Sequence, residues 1–577
     1  MVQAAFIQNI AKEDMKKWFP DILGYLCDYI IIPGVMLFFV FQPNFIHGYI
    51  DHFEAGKELV CINEVFYGRL PYKEIFQLFG PLNLYFQAFF MSLFGKTLVV
   101  LRWYFYAGTM VSLIATYWIG RILCRTRFFA CAIAFFLITE TVHPFWMTRW
   151  GGFRFGAGLL ALLCMVIFFK TKQRRAIFFA GVLAAIAFLI TFDVGTIALT
   201  SIGAAFLIYT ACEFLKTGKL DLRPVTIFSV SAAGVLGCFL FYFIVTGMAG
   251  AYIDTIAGLL KHHGGAWTQE GVSLRNWDII RPDRIFRFDF KYIFPAIIYI
   301  FSVVYLIQRA RKKKINLKDY SIAGLSIYGA LMYKHGFRIM TGPQFQVALQ
   351  PVIVLGFVFL ENVFNRISEL IRGLRILPRQ SNLNKKNVIR LVIYVFIFIF
   401  GISYAVFSEK RFFGNLKKWV YYQKNKEQLM PVYSGVVPVS AVKWKALNIK
   451  RAKGVLVPEF QAEEMEMVTG YIKAVTVSGE SVLAFPEHGI YNFLADRPCV
   501  GRFGVPTVAY TAPKWRQELV LAVKKEKPRY IIYNRELSNL AKAIKSTKEL
   551  LPEVIDYIQK NYIVEKSFGN TDIMRRK

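Results

Sequence analysis

Acidic residues are scarce in this chain: 38 Asp and Glu stand against 70 Lys and Arg over 577 residues, a formal net charge of +32. Charged residues of both signs reach only 19%, too few to cover the surface of a soluble protein of this length. There are 7 histidines, and the 8 cysteines form no CxxC or Cys/His spacing, so nothing suggests a structural zinc site. Most cysteines lie in or beside apolar runs and behave there as small hydrophobes; only Cys61 and Cys499 are expected to face outward. No segment reads as a cleavable signal peptide, since residues 1–23 are polar and the first apolar run is a full span to be retained as an anchor.

Apolar and aromatic residues fill the space. They are 55% and 16% of the chain, with 55 Phe and 30 Tyr, and the mean hydropathy is +0.41. Stretches long enough to span alternate with short basic loops: Lys12 to Lys17, Arg121 to Arg127, Lys170 to Arg175, Lys216 to Arg223, Arg309 to Lys314 and Arg366 to Lys386. Placing these loops in the cytoplasm by the positive-inside rule predicts about eleven spans. They fall near 24–46, 97–119, 128–146, 155–169, 176–192, 194–213, 226–247, 291–308, 319–334, 344–363 and 388–408. The N-terminus is then cytoplasmic and every long, charge-balanced loop is external. The positive charge therefore reads as topology and contact with anionic lipid, and nucleic acid is set aside as a partner.

Three external regions carry the polar sequence: 47–96, 248–290 and everything after 408. The expected organisation is a transmembrane module over 1–408 and an extracytoplasmic domain over 409–577. In this tail, 481–485, 529–533 and 562–566 read as strands. Residues 487–495, 515–525 and 550–560 read as helices, which predicts an α/β domain with a partly parallel sheet. It has no phosphate-binding glycine fingerprint, which argues against a nucleotide site there.

The order of elements around the first long loop resembles the GT-C superfamily of integral membrane glycosyltransferases. It is similar to the bacterial branch that includes protein O-mannosyltransferases and the lipid A aminoarabinose transferase. The elements are Asp51 after the first span, Gly68-Arg69-Leu70-Pro71-Tyr72-Lys73-Glu74, Gly80-Pro81-Leu82, Leu93-Phe94-Gly95 and Arg102. The tail joins in through Phe485-Pro486-Glu487-His488-Gly489 and on to Asp496-Arg497, and through Lys527-Pro528-Arg529-Tyr530. Glu74 stands where the family more often has Asp. The resemblance implies a helical GT-C-like bundle in the plasma (inner) membrane. Its reaction would transfer a sugar, with inversion, from a polyprenyl-phosphate carrier to an acceptor at the external face. Whether the acceptor is protein, lipid or glycan is left open.

That chemistry needs a base for the acceptor's proton and cations for the leaving lipid phosphate. Asp51 is the expected base. Glu54, one helical turn on, either orients Asp51 or joins a divalent cation, and no metal or other cofactor is assigned. Glu140 and His143, where the third span meets the external face, supply a second acid and a polar neighbour at a depth where ionisable groups need a cavity. Arg149, Arg154, Lys334 and Arg338 are cations on the outer side, against the topological bias, and phosphate binding would account for them. Asp193 reads first as a helix N-cap and second as a site residue. His262 and His263, in a glycine-flanked loop, are candidates for closing over the acceptor. The rival readings are a lipid transporter or flippase and a non-catalytic cell-envelope assembly protein. Against the transporter stand the lack of a half-to-half repeat and the gathering of candidate charges at one membrane face.

Overall fold

The computed structural model describes residues 22–41, 43–48, 50, 52–141, 151–263, 290–339, 347–376, 417, 420–421, 423–425, 428–432, 435–506, 509, 512–535 and 551–577. The bundle is built from α1 (Ile22–Val40), α2 (Pro43–His47), α3 (His52–Phe66), α4 (Pro81–Phe94), α5 (Leu98–Leu123), α6 (Arg127–Glu140) and α7 (Phe153–Thr171). It continues through α8 (Arg174–Ile190), α9 (Phe192–Thr217), α10 (Arg223–Val245), α11 (Ala249–Gly258), α12 (Phe290–Arg311), α13 (Leu317–Ile339) and α14 (Gln350–Ile376). Among the described residues seven helices are long and apolar enough to cross a bilayer: α1, α5, α7, α9, α10, α12 and α14. A helix stands at each expected span from 24–46 to 344–363, and 388–408 lies outside the described residues. The chain is a multi-pass helical membrane protein with a small α/β domain behind the bundle.

Because successive helices alternate in direction, the described basic turns 121–127, 170–175, 216–223 and 309–314 fall at one end of the bundle, and acids there tie them down. Asp28 of α1 bridges Arg121 (2.9 Å) and Arg127 (3.2 Å). Glu361 of α14 accepts the backbone N–H groups of Arg125 (2.8 Å) and Thr126 (2.7 Å). Asp319 of α13 takes Arg309 at 3.1 Å. A carboxylate at such depth is tolerated only when paired.

The opposite end carries α3, α4 and the C-terminal domain. The chain returns from α3 through loop 67–80, which docks on the turn between α8 and α9: the Gly80 N–H donates to Ile190 O at 3.0 Å. A Cβ at Gly80 would stand 2.0 Å from Leu189 O, so only glycine permits this approach. Pro81 then opens α4 at a position where its missing N–H costs nothing.

The C-terminal domain begins with two small antiparallel pairs, β1 (Leu429–Val432) with β2 (Gly435–Pro438) and β3 (Trp444–Ala446) with β4 (Leu456–Pro458). Then follow α15 (Glu459–Val475), β5 (Leu483–Phe485), α16 (Ile490–Ala495), α17 (Pro513–Glu526), β6 (Tyr530–Asn534), α18 (Pro552–Asn561), β7 (Tyr562–Phe568) and β8 (Thr571–Arg576). The sheet order is β5-β6-β8-β7; β5 and β6 run parallel across the α17 connection, and the other pairs are antiparallel. The α/β expectation for the tail is met.

The domain shares a core with the loop helix. Leu59, Val60 and Ile62 of α3 lie in one buried cluster with Ile490, Phe493, Leu494 and Phe503. The approach is closest at two glycines. A Cβ on Gly489 would lie 2.3 Å from the Gly504 carbonyl oxygen, and one on Gly504 would lie 2.4 Å from Val60 Cγ1. Overpacking of this kind costs about 1–3 kcal/mol. Gly489→Ala and Gly504→Ala are each expected to lower the thermal midpoint in detergent. Adding Val60→Ala should rescue Gly504→Ala, whose clash is with a side chain, but not Gly489→Ala, whose clash is with backbone.

Candidate active site

Three helix ends converge at the domain-bearing end of the bundle. Asp193 sits in the first turn of α9, where its Oδ1 accepts from Thr191 Oγ1 (2.5 Å) and from the Val194 N–H (2.8 Å). These two local bonds aim Oδ2 inward, where it meets Arg154 Nη2 of α7 (3.1 Å) and His335 Nε2 of α13 (3.0 Å). Arg154 is buried, 8% exposed, and its guanidinium lies over the rings of Phe79 (4.7 Å) and Phe155 (5.2 Å). Phe79 belongs to the docked loop, and Lys57 of α3 approaches the same ring at 5.7 Å. Two cations from different elements thus flank one aromatic ring, and the Asp193 carboxylate is set against the buried one. Exposed Lys334 adjoins His335 in the chain. A planar, weakly hydrated guanidinium held in low-dielectric surroundings is well suited to a phosphate.

Seven residues before His335, and so on much the same face of α13, Tyr328 is 1% exposed. Its hydroxyl has no hydrogen-bond partner among the described residues. Nearby on the loop side, Glu58 of α3 is buried, accepts from Asn83 Nδ2 (3.4 Å), and Asn83 Oδ1 accepts from Gln87 Nε2 (3.2 Å).

The junction of α3 with the domain is equally polar. His52 and His488 lie with ring centroids 5.0 Å apart, Tyr491 stands against both (6.1 and 6.2 Å), and the Gln461 amide meets His52 Nε2. Burial pushes His52 down to about 4, and burial together with neighbouring His52 holds His488 well below the ordinary histidine range, so both stay neutral. One helical face on, Glu64 takes Arg69 Nη1 (2.7 Å) and the Cys499 N–H (2.8 Å). Burial nevertheless pushes its carboxyl up to about 7, against the pull of Arg69. Asn63 donates to Arg497 O (3.0 Å) and accepts from Arg451 Nη1 (2.6 Å), and Arg451 also pairs with Asp496 (2.6 Å). The tail segment from Phe485 to Arg497 is thus the surface that receives α3.

The expected site residues fall as follows. Arg154 is at the centre of the cluster, Lys334 is exposed beside it, and Glu140 is the last residue of α6, half-buried. Glu54 lies in α3, Arg338 in α13, and His262 and His263 in a π-turn after α11, but their side chains lie outside the described atoms. Asp51, His143 and Arg149 lie outside the described residues. Asp193 is not the N-cap of α9; Thr191 holds that position, because the carboxylate is drawn inward by the buried Arg154. Nothing in the sequence alone marks His335 as a site residue. Its only signal there is its place between Lys334 and Arg338, and its partner Asp193 is 142 residues away. Among the described residues no group of three or more His, Cys, Asp or Glu gathers in a form that would hold a metal ion.

No family model matches the chain, and no curated protein matches it. Two similar solved structures are those of ArnT from Cupriavidus metallidurans. The form bound to undecaprenyl phosphate is 12% identical with a TM-score of 0.48, covering 96% of this chain and 98% of that one. The apo form is 11% identical with a TM-score of 0.47 and the same coverage. Likeness at this distance says nothing of chemistry, which has to come from the residues themselves.

Removing the carboxylate breaks the ion pair to the buried guanidinium. Losing one partner of a charged hydrogen bond of this kind costs about 1.5–3 kcal/mol. Asp193→Asn is therefore expected to lower the melting midpoint in nanodiscs more than Arg154→Met, which removes the charge that needs a partner. The reverse order would mean that the pair does not stabilise the helix ends.

Proposed function

We propose that this chain is a membrane glycosyltransferase that moves a sugar from a polyprenyl-phosphate carrier to an acceptor at the external face, with inversion. The observation that carries this reading is the buried Arg154, paired with Asp193, which also meets His335, and lying beside Phe79 at the bundle end where α3 follows Asp51 in the chain. The resemblance of the loop and tail motifs to the GT-C superfamily supports it, as does the basic opposite end, which the positive-inside rule puts in the cytoplasm. Residues 1–408 are then the catalytic module and 409–577 an extracytoplasmic domain in the plasma (inner) membrane's outer space.

In this mechanism the Asp51 carboxylate takes the proton of the acceptor group as its heteroatom attacks the anomeric carbon from the face opposite the phosphate. The bond from that carbon to the phosphate oxygen breaks, and its electron pair stays with the departing polyprenyl phosphate. The charge that grows there meets Arg154 and Lys57, with Arg149, Lys334 and Arg338 as further cations of the rim. Glu54 orients Asp51, Glu140 serves as the second acid, and His143, His262 and His263 line the acceptor side.

Proteoliposomes supplied with a panel of radiolabelled polyprenyl-phosphate monosaccharides test this. The wild type should transfer label to an acceptor fraction, and Asp51→Asn should lower the rate by about 10²–10⁴-fold with carrier binding retained. Label that merely crosses the bilayer, equally well in Asp51→Asn, would replace the enzyme by a transporter.

A further inference from the structure

Resting on the glycosyltransferase reading, we propose that the C-terminal domain holds the base-bearing end of α3 in its working position, with Gln461 and His488 as positioning residues. Asp51 immediately precedes His52, the first residue of α3. Three groups of the domain stand against the His52 ring: the His488 ring at 5.0 Å, the Tyr491 ring at 6.1 Å and the Gln461 amide. One turn further along α3, a Cβ on Gly56 would lie 2.9 Å from Ile490 N, so the helix is seated directly on the backbone of α16. The first turn of a helix lacks intrahelical partners for its N–H groups and frays unless something holds it. A base misplaced by an ångström loses much of its effect. The domain supplies that hold through α16 and α15.

The hold is sensitive to protons. The Nδ1 atoms of His52 and His488 are both buried with no hydrogen-bond partner among the described residues. Among the described residues the ionisable groups set around the pair are Tyr491 against both rings and Glu464 of α15 near Tyr491, and Glu487 adjoins His488 in the chain. The folded histidines lie below their unfolded range, so their contribution is complete above about pH 6.5 and is lost as pH falls towards about 4. Glu64, with its carboxyl raised to about 7, has the opposite sign: its contribution is complete below about pH 4.5 and is lost as pH rises through 7. The histidine part is therefore read as a difference between the wild type and a variant that cannot take up the proton at position 488.

Full-length protein in nanodiscs provides the test, with hydrogen exchange followed on peptides covering 52–60 and 562–576 and transfer assayed on the polyprenyl-phosphate monosaccharide panel. His488→Ala should speed exchange of 52–60 about tenfold while 562–576 stays protected. It should lower kcat about 100-fold with little change in the donor KM. His488→Phe, which keeps a ring in the stack, should restore both, and its loosening of 52–60 between pH 7.5 and 5 should be smaller than that of the wild type. Equal protection of 52–60 in wild type and His488→Ala overturns the proposal. So does a loss that spreads to 562–576, or a loosened 52–60 with kcat unchanged. If the wild type transfers no sugar from any donor, the reaction is what fails, and the exchange result still decides whether the domain holds α3.

Discussion

A charge in hydrocarbon surroundings has to be matched where it stands, and the few acids of this chain are spent on that requirement. At the basic end Asp28, Asp319 and Glu361 each hold down a turn rich in arginine or its backbone. At the other end Asp193 neutralises the buried Arg154 and draws His335 into the same contact. The two ends differ in where their cations lie. At the basic end they sit on turns, whereas at the domain end Arg154 and Lys57 face a shared aromatic ring between elements.

The second constraint is the position of α3. It is too polar to enter the bilayer and too apolar to lie free, with Phe53, Leu59, Val60 and Ile62 all buried. Its apolar face is covered by the domain, through the Gly489–Gly504 approach and the paired histidines. Its Lys57 side reaches the loop that carries Phe79. One helix therefore links the membrane cluster to the soluble domain, and the tail motif from Phe485 to Arg497 makes sense as its seat.

Legibility in the sequence followed the range of the interactions. Strands and helices with a strong apolar run, such as 481–485, 515–525 and 529–533, were readable because burial alone selects them. β8, with the sequence Thr571-Asp572-Ile573-Met574-Arg575-Arg576, was not, since its strand form depends on hydrogen bonds to β6 on one edge and β7 on the other. The helix α15 has a readable pattern, burying Ala462, Met465, Val468 and Ile472, but the acids Glu463, Glu464 and Glu466 between them mask it. In the site, Arg154 is legible because an external cation is unusual. His335 is not, because its contact exists only through Asp193, whose own signal in the sequence is that of a local cap.

Taken by itself, the order of residues marked the chain as a multi-pass helical membrane protein and gave the charge asymmetry of its loops and the α/β character of the tail. These depend on hydropathy and on short-range periodicity, which are written in neighbouring positions. The tertiary structure alone decided that α7, α9 and α13 bring Arg154, Asp193 and His335 together, and that the tail folds back on α3. Both are contacts between residues tens to hundreds of positions apart, chosen by packing and by the cost of leaving a buried charge or a polar ring without a neighbour.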